Sequence, residues 1–315
     1  MRLPPAVTLA LLLSAVPRVT STAAPGPPAE ARPVPASAVV VHHYEMNGQI
    51  RPLLFFWIGR DDVGGATITW HRGQGTAGYS LLIGSDPARA PRGINRWGYI
   101  DEEIRGSVTN LLGVMTASNE QSLEEAEASV DRHADGTHAF RVIRASIDGR
   151  QSRSAVTTLD TRQDYSFHQL GAVLDRIPPE TAGDIRMVTV PDGIEPGFLS
   201  AVASLIHATV VEGPSGGARP ASARYVYHGR LYDLRVARVR PVAALTVNGT
   251  TYRQLLRAEF ENRNAATGSV THFSLTYGTE GDLREIPVTI SYQPRWWLRI
   301  ELTLADGGAQ AAAGP

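Results

Sequence analysis

Val242-Ala243-Ala244-Leu245-Thr246-Val247-Asn248-Gly249-Thr250-Thr251-Tyr252-Arg253-Gln254-Leu255-Leu256-Arg257-Ala258-Glu259-Phe260 is the stretch that decides the fold. Two β-rich runs flank an Asn-Gly pair. A two-residue hairpin turn of the favoured hand needs positive φ at both central residues, which Gly accepts freely and Asn tolerates better than most. An antiparallel hairpin over Val242–Phe260 follows. Downstream, Val270–Tyr277, Ile286–Tyr292 and Trp296–Leu304 read as three more strands. In the last of these Leu298, Ile300, Leu302 and Leu304 fall on one face, with Arg299, Glu301 and Thr303 on the other. That alternation predicts one buried and one wet face.

Upstream the same signals recur. Tyr225–Tyr227 and Leu231–Val239 precede the hairpin. Near the start, Val39-Val40-Val41 and Leu53-Leu54-Phe55-Phe56-Trp57-Ile58 flank Asn47-Gly48, which suggests another hairpin. Asp61–Gly65 reads as a turn into the alternating Ala66–Trp70, and Gly73–Gly78 as a turn into Tyr79–Ile83. Phe140–Ile147, Ala155–Leu159 and Ile185–Val190 are strand-like. Helical signals are fewer. A capping-box pattern at Ser118 and Gln121 opens one candidate helix with Leu123, Ala126 and Val130 on a face. A second runs from about residue 164 to 176. A third spans Glu195–His207 with Phe198, Val202, Leu205 and Ile206 inward. The expected class is mainly β (α+β): curved antiparallel sheets or an open half-barrel with two or three helices.

Arg2, the apolar run Ala6–Val16 and the small residues Ser21-Thr22-Ala23 have the layout of a secretory signal peptide cleaved near Ala24. The run is shorter than the roughly 20 apolar residues of a membrane span, so no stable span is expected after signal removal. The expected organisation is a signal peptide at 1–23, a Pro/Ala-rich tether at 24–37, a β-rich region with helices at 38–212, a Gly/Pro/Ser-rich loop at 213–220, a C-terminal antiparallel sheet at 221–305 and a disordered Ala/Gly tail at 306–315. The two β-rich regions are expected to form one continuous body. The expected location is periplasmic or secreted.

Composition excludes several chemistries. The chain has no cysteine, and all 30 of its basic Lys+Arg residues are arginine. Thiol nucleophiles, thiolate metal sites, disulfides, Schiff-base lysines and a P-loop lysine are therefore absent. The net charge of −1 lacks the basic excess of a nucleic-acid binder. His-Glu-x-x-His is absent. Gly73-Gln74-Gly75-Thr76-Ala77-Gly78 has Gly-x-Gly-x-x-Gly spacing but leads into the strand-like Tyr79–Ile83 rather than a helix. Gly213-Pro214-Ser215-Gly216-Gly217 has Gly-x-Ser-x-Gly spacing but lies in the Gly/Pro/Ser-rich loop, so neither is a dinucleotide fingerprint or a nucleophile elbow. No cofactor is implied.

The segments Arg257–Phe260, Ser274–Gly278, Ile286-Pro287-Val288-Thr289-Ile290 and Trp297-Leu298-Arg299-Ile300-Glu301-Leu302 resemble the C-terminal hairpin of an uncharacterised family of bacterial periplasmic, β-rich envelope proteins. In that family a Pro-Val-x-Ile strand precedes a final strand ending in Glu-Leu. The resemblance covers under a third of the chain. It implies an open, curved antiparallel sheet similar to the lipoprotein-carrier half-barrel, and it brings no catalytic residues.

The candidate binding residues are Arg89, Arg92, Arg96 and Trp97, in a long loop over 84–99. Guanidinium groups beside an indole suit an anionic headgroup next to an apolar body, whereas the same arginines could pair with Asp101, Glu102 and Glu103. Asp131, His133, Asp135 and His138 form the densest set of potential metal ligands. They lack the acidic twelfth position of a calcium loop, and an Asp-Gly turn accounts for them without a metal. Adjacent His42 and His43 should point to opposite faces of a strand. Three functions fit. The first is a non-catalytic module that holds a lipid or other amphipathic ligand on a curved sheet. The second is an envelope scaffold that contacts other envelope proteins. The third is a glycan hydrolase using loop carboxylates such as Asp61, Asp62, Asp101, Glu102 and Glu103. An apolar cavity would favour the first, a filled interior the second, and two carboxylates facing across a cleft the third.

Overall fold

The computed structural model describes residues 38–53, 56–73, 75–90, 93, 95–116, 138–161, 174, 177, 184–213, 221–305 and 310–311. The expected signal peptide, the tether, the candidate helix after Ser118 and most of the one before Pro178 lie outside these residues.

The chain builds β1 (Ala38–Leu53), β2 (Phe56–Gly73), β3 (Thr76–Ser85), β4 (Trp97–Arg105), β5 (Val108–Thr116), β6 (His138–Asp148), β7 (Gln151–Thr161) and β8 (Asp184–Thr189). Helix α1 (Phe198–Glu212) follows. The rest is β9 (Ser222–Tyr227), β10 (Arg230–Val247), β11 (Thr250–Asn264), β12 (Val270–Gly278), β13 (Pro287–Arg295), β14 (Leu298–Leu304) and β15 (Gln310–Ala311). One antiparallel sheet contains every strand, in the order β8-β7-β6-β5-β4-β3-β2-β1-β14-β13-β12-β11-β10-β9, with β15 beside β1. The fold is mainly antiparallel β and the sheet is open, with no ladder between β8 and β9. Among the described residues α1 is the one α-helix longer than a turn.

The sheet's two ends still approach each other. Glu195, just after β8, makes a single parallel bridge to Tyr225 of β9, and its N–H donates to the Arg224 carbonyl at 2.7 Å. Ile147, Val190 and Val226 form a buried cluster at this seam, with Ile194 and Leu231 against it. The approach is made by side chains and one bridge, so both edges are covered without closure into a barrel.

The decisive hairpin forms as expected. Val247 pairs with Thr250, and Asn248 and Gly249 take φ values of 49° and 78°. The turn is also held from outside, because Asn248 Nδ2 donates to Glu45 Oε2 at 3.0 Å. Val247, Tyr252 and Leu255 thereby pack with Tyr44, Met46, Val288, Leu302 and Leu304 in one core cluster.

Five expectations are corrected. Asn47-Gly48 is not a turn. The chain reverses between Leu53 and Phe56, which are paired, and Asn47 lies at a register shift within β1. There Asn47 Oδ1 accepts the Asp62 N–H at 3.0 Å, and a methyl at Gly48 would lie 3.1 Å from Val63 Cγ2. The same bulge absorbs Asp61–Gly65, so β2 runs unbroken for 18 residues. Leu231–Val239 and Val242–Val247 are likewise one strand. β9 pairs with β10 only as far as Arg235, so Pro241 lies where β10 has no neighbour on that side to need its missing N–H. Helix α1 starts at Phe198 rather than Glu195, because a residue before proline (Pro196) is disfavoured in helix and Glu195 is bonded to β9. Finally, Gln310 and Ala311, expected in an irregular tail, pair with Val41 and Val40 beyond the end of β14.

Gly249→Val forces a β-branched side chain into the left-handed region and is expected to lower stability by about 1 kcal/mol or more. A urea melt checks it. An unchanged midpoint would contradict the turn.

Candidate functional site

Helix α1 lies within the curl of the sheet. Its apolar residues recur at helical spacing, and two sides of it are used. Ala201, Leu205 and Ile206 are buried against Tyr225, Leu234, Leu256, Phe260, Leu275 and Tyr277. Thr209 Oγ1 bonds the Tyr277 hydroxyl and donates to the Ile206 carbonyl at 2.8 Å. Gly213, with φ 70°, ends the helix and donates its N–H to the Thr209 carbonyl.

The helix start is held by a residue far away in sequence. Glu102 is 0% exposed. Its Oε1 accepts the Leu199 N–H at 2.7 Å and its Oε2 the Ser200 N–H at 2.9 Å. Those two donors have no partner within a helix, and negative charge is favoured at that end of the helix dipole. Ser200 Oγ accepts the Gly197 N–H at 2.8 Å and completes the cap. Position 197 must be glycine for a close approach, since a methyl there would fall on the Glu102 carboxylate. Burial raises the Glu102 carboxyl above its ordinary value of 4.5, against the opposing pull of the helix N–H groups.

Between the free side of α1 and the sheet is a cavity of about 940 Å³. Ile68, Leu81, Ile100, Phe273, Ile290 and Ile300 line it from the sheet, and Phe198 and Val202 from the helix. Trp70 lines it as well, edge-on to His42 at 5.7 Å. One end is polar. His207 Nδ1 lies 2.8 Å from Glu285 Oε1, and Arg284 Nε lies 3.4 Å from the same oxygen. The His207 and Arg284 side chains are 62% and 50% exposed, so this end reaches solvent. A predominantly apolar chamber with a few charged groups at its mouth has the make-up of a small-molecule site, and its volume is within the range of about 300–1,000 Å³ usual for one.

The arginine loop lies elsewhere. Arg89 pairs with Asp62 and lies 3.4 Å from Asp86 Oδ2. Asp86 Oδ1 accepts the Ala88 N–H at 3.0 Å. Arg96 is tied down through its backbone to Ser85 Oγ at 2.8 Å. Trp97 is 5% exposed and tilted on Phe140 at 4.5 Å between ring centres. Alternation from Ile100 places Trp97 on the face opposite the cavity, in a cluster with Val114, Val142 and Ile177. Arg92 lies outside the described residues. Arg89, Arg96 and Trp97 therefore share a loop but do not line the cavity.

The acidic run divides across the sheet. Glu102 faces inward to the helix, while Asp101 and Glu103 lie on the other face, Glu103 paired with Arg105. Burial raises the Asp101 carboxyl and the adjacent Tyr99 hydroxyl, the latter to about 12. These carboxylates do not converge on a cleft. His42 is buried and His43 exposed, on opposite faces as the strand period requires. Of the metal-ligand candidates, residues 131–137 lie outside the described ones. Among the described residues, no helix is long and apolar enough to cross a membrane. Comparison with family models, with curated proteins and with solved structures finds no match.

Glu102→Ala leaves two helix N–H groups without acceptors in a buried place. It is expected to cost about 2–4 kcal/mol, read from urea unfolding. A raised folded pKa means the fold binds this proton more tightly than the unfolded chain does. The proton-linked part of the Glu102 contribution is then full below pH 4.5 and is lost as pH rises through the raised value, while the two N–H bonds persist to the ionised form. Wild type should therefore gain stability relative to Glu102→Gln as the pH falls through that window. A pH-independent difference would contradict the assignment.

Proposed function

We propose that this protein is an exported envelope protein, periplasmic or secreted, that binds an apolar or amphipathic ligand such as a lipid and performs no chemistry on it. The observation that carries the reading is the 940 Å³ chamber between α1 and the sheet. Apolar side chains facing unfilled space forgo the contacts that a packed interior would give them, and an apolar guest restores those contacts. The charged mouth of His207, Arg284 and Glu285 suits a ligand with a polar head and an apolar body. The N-terminal apolar run and the resemblance of the last strands to envelope half-barrel proteins support the same reading. A scaffold without a ligand would sooner fill its interior, and a hydrolase would bring two carboxylates to one cleft.

Val202→Trp puts an indole into the chamber from the helix side. The wild-type protein is expected to bind 1-anilinonaphthalene-8-sulfonate saturably, and Val202→Trp to weaken that binding at least tenfold without a lower melting temperature. Val211 is on the exposed side of α1, 63% accessible, so Val211→Trp is expected to bind as wild type does. Equal binding by Val202→Trp, or equal loss in both variants, would overturn the proposal.

A further inference from the structure

The turn joining β9 to β10 is a hairpin tip that does not lie in solvent. His228 and Gly229 form it with φ of 51° and 62°, yet His228 is only 6% exposed. The tip lies on the far end of the sheet: a methyl at Gly229 would be 3.0 Å from Ser154 Oγ and 3.3 Å from Arg186 Cβ. Ser154 and Arg186 are cross-strand partners, and Ser152 lies two residues along on the same face. Ser152 and Ser154 are 0% and 1% exposed. Both serine hydroxyls and both ring nitrogens of His228 are buried with no hydrogen-bond partner among the described residues. Buried polar groups are paired as a rule, and a group of them left open in one place calls for a missing partner.

The charge around the tip says what kind of partner. Burial, then Arg186, Arg230 and Arg141, pushes the His228 imidazole down to about 4. None of these three arginines makes a hydrogen bond or an ion pair with a carboxylate among the described residues. Water would satisfy the hydroxyls, whereas an anion would satisfy them and neutralise the guanidinium charge as well. Three cations with hydroxyl and imidazole donors beside them, and no described counter-charge, select an anion with several oxygens.

We propose that the seam formed by Ser152, Ser154, Arg186, His228 and Arg230 is a binding site for a phosphate-class oxyanion. The guanidinium groups of Arg186 and Arg230 supply planar paired donors. The serine hydroxyls and the neutral imidazole's one N–H supply the rest. None of these residues lines the 940 Å³ cavity, so the site stands whether or not that cavity takes a lipid. The oxyanion is either free phosphate or the phosphate monoester of a lipid headgroup.

Isothermal titration calorimetry of the full chain with inorganic phosphate tests the proposal, with the ring C–H resonances of His228 followed by NMR. Wild type is expected to bind phosphate, and the His228 titration midpoint to rise when phosphate is present. Arg186→Gln should weaken binding by about tenfold or more, the loss expected for a charge-assisted pair. His228→Asn, which tolerates the left-handed backbone, should also weaken it, with its melting temperature in phosphate-free buffer close to wild type. No phosphate heat, an unmoved His228 midpoint in wild type, or equal phosphate affinity in the variants would overturn the site. Dihexanoyl phosphatidic acid distinguishes the sources. Tighter binding than inorganic phosphate, with competition between the two, upholds the site as a headgroup site. The reverse order upholds it as a free-phosphate site.

Discussion

The carboxylate of Glu102, buried inside the curl of the sheet and bonded to the first N–H groups of α1, is the interaction on which the rest of the arrangement depends. It joins residues 97 and 98 apart in sequence. Without it the helix would still have an apolar side to bury against β9–β12, but nothing would fix where along the sheet its start lies. With it, one side of α1 is committed to the sheet's C-terminal half, and the other side faces β2–β4 across open space. The chamber is the consequence. A buried charge is costly unless its oxygens are satisfied, and here each has a backbone donor in the place where the helix dipole favours negative charge.

The second constraint is the sheet's own length. A path of fourteen strands twists and curls, and its two edges must be protected from pairing with other chains. The molecule brings the edges together through the segment after β8 and the tip of the β9–β10 hairpin. The tip carries His228 against Ser154 and Arg186, so the device that covers the edges also creates the polar seam. Chamber and seam lie on the same inward side of the sheet, the first apolar and wide, the second polar.

What was legible in the sequence was local. Asn248-Gly249 declared its hairpin because both residues accept the backbone that the turn requires. The alternation of Leu298, Ile300, Leu302 and Leu304 declared a strand with one buried face. Phe198, Val202, Leu205 and Ile206 declared a helix. Asn47-Gly48 carried the same local signal as Asn248-Gly249 and meant a bulge instead, because the pairing of β1 with β2 on both sides of it, and Val63 against Gly48, outweighed the turn preference. The break between Leu231–Val239 and Val242–Val247 disappears because β9 is too short to reach Pro241. Glu102 was hidden among Asp101 and Glu103, although its alternation with Ile100 and Ile104 marked it as the inward member of the run. The chamber itself had no local signature, since its lining comes from β2, β3, β4, α1 and β11–β14. The seam had none either, because serine, histidine and arginine are unremarkable until three distant strands bring them together.

The central claim is that the chamber behind α1 exists to hold a ligand. Native mass spectrometry of the intact protein, purified without detergent from the cells that make it, tests this most directly. The account predicts a population heavier than the polypeptide by the mass of one small apolar or amphipathic molecule, lost on denaturation and absent from Val202→Trp purified in the same way. A polypeptide that carries no such molecule from its own source, and takes up none when offered a total lipid extract of those cells, would contradict it.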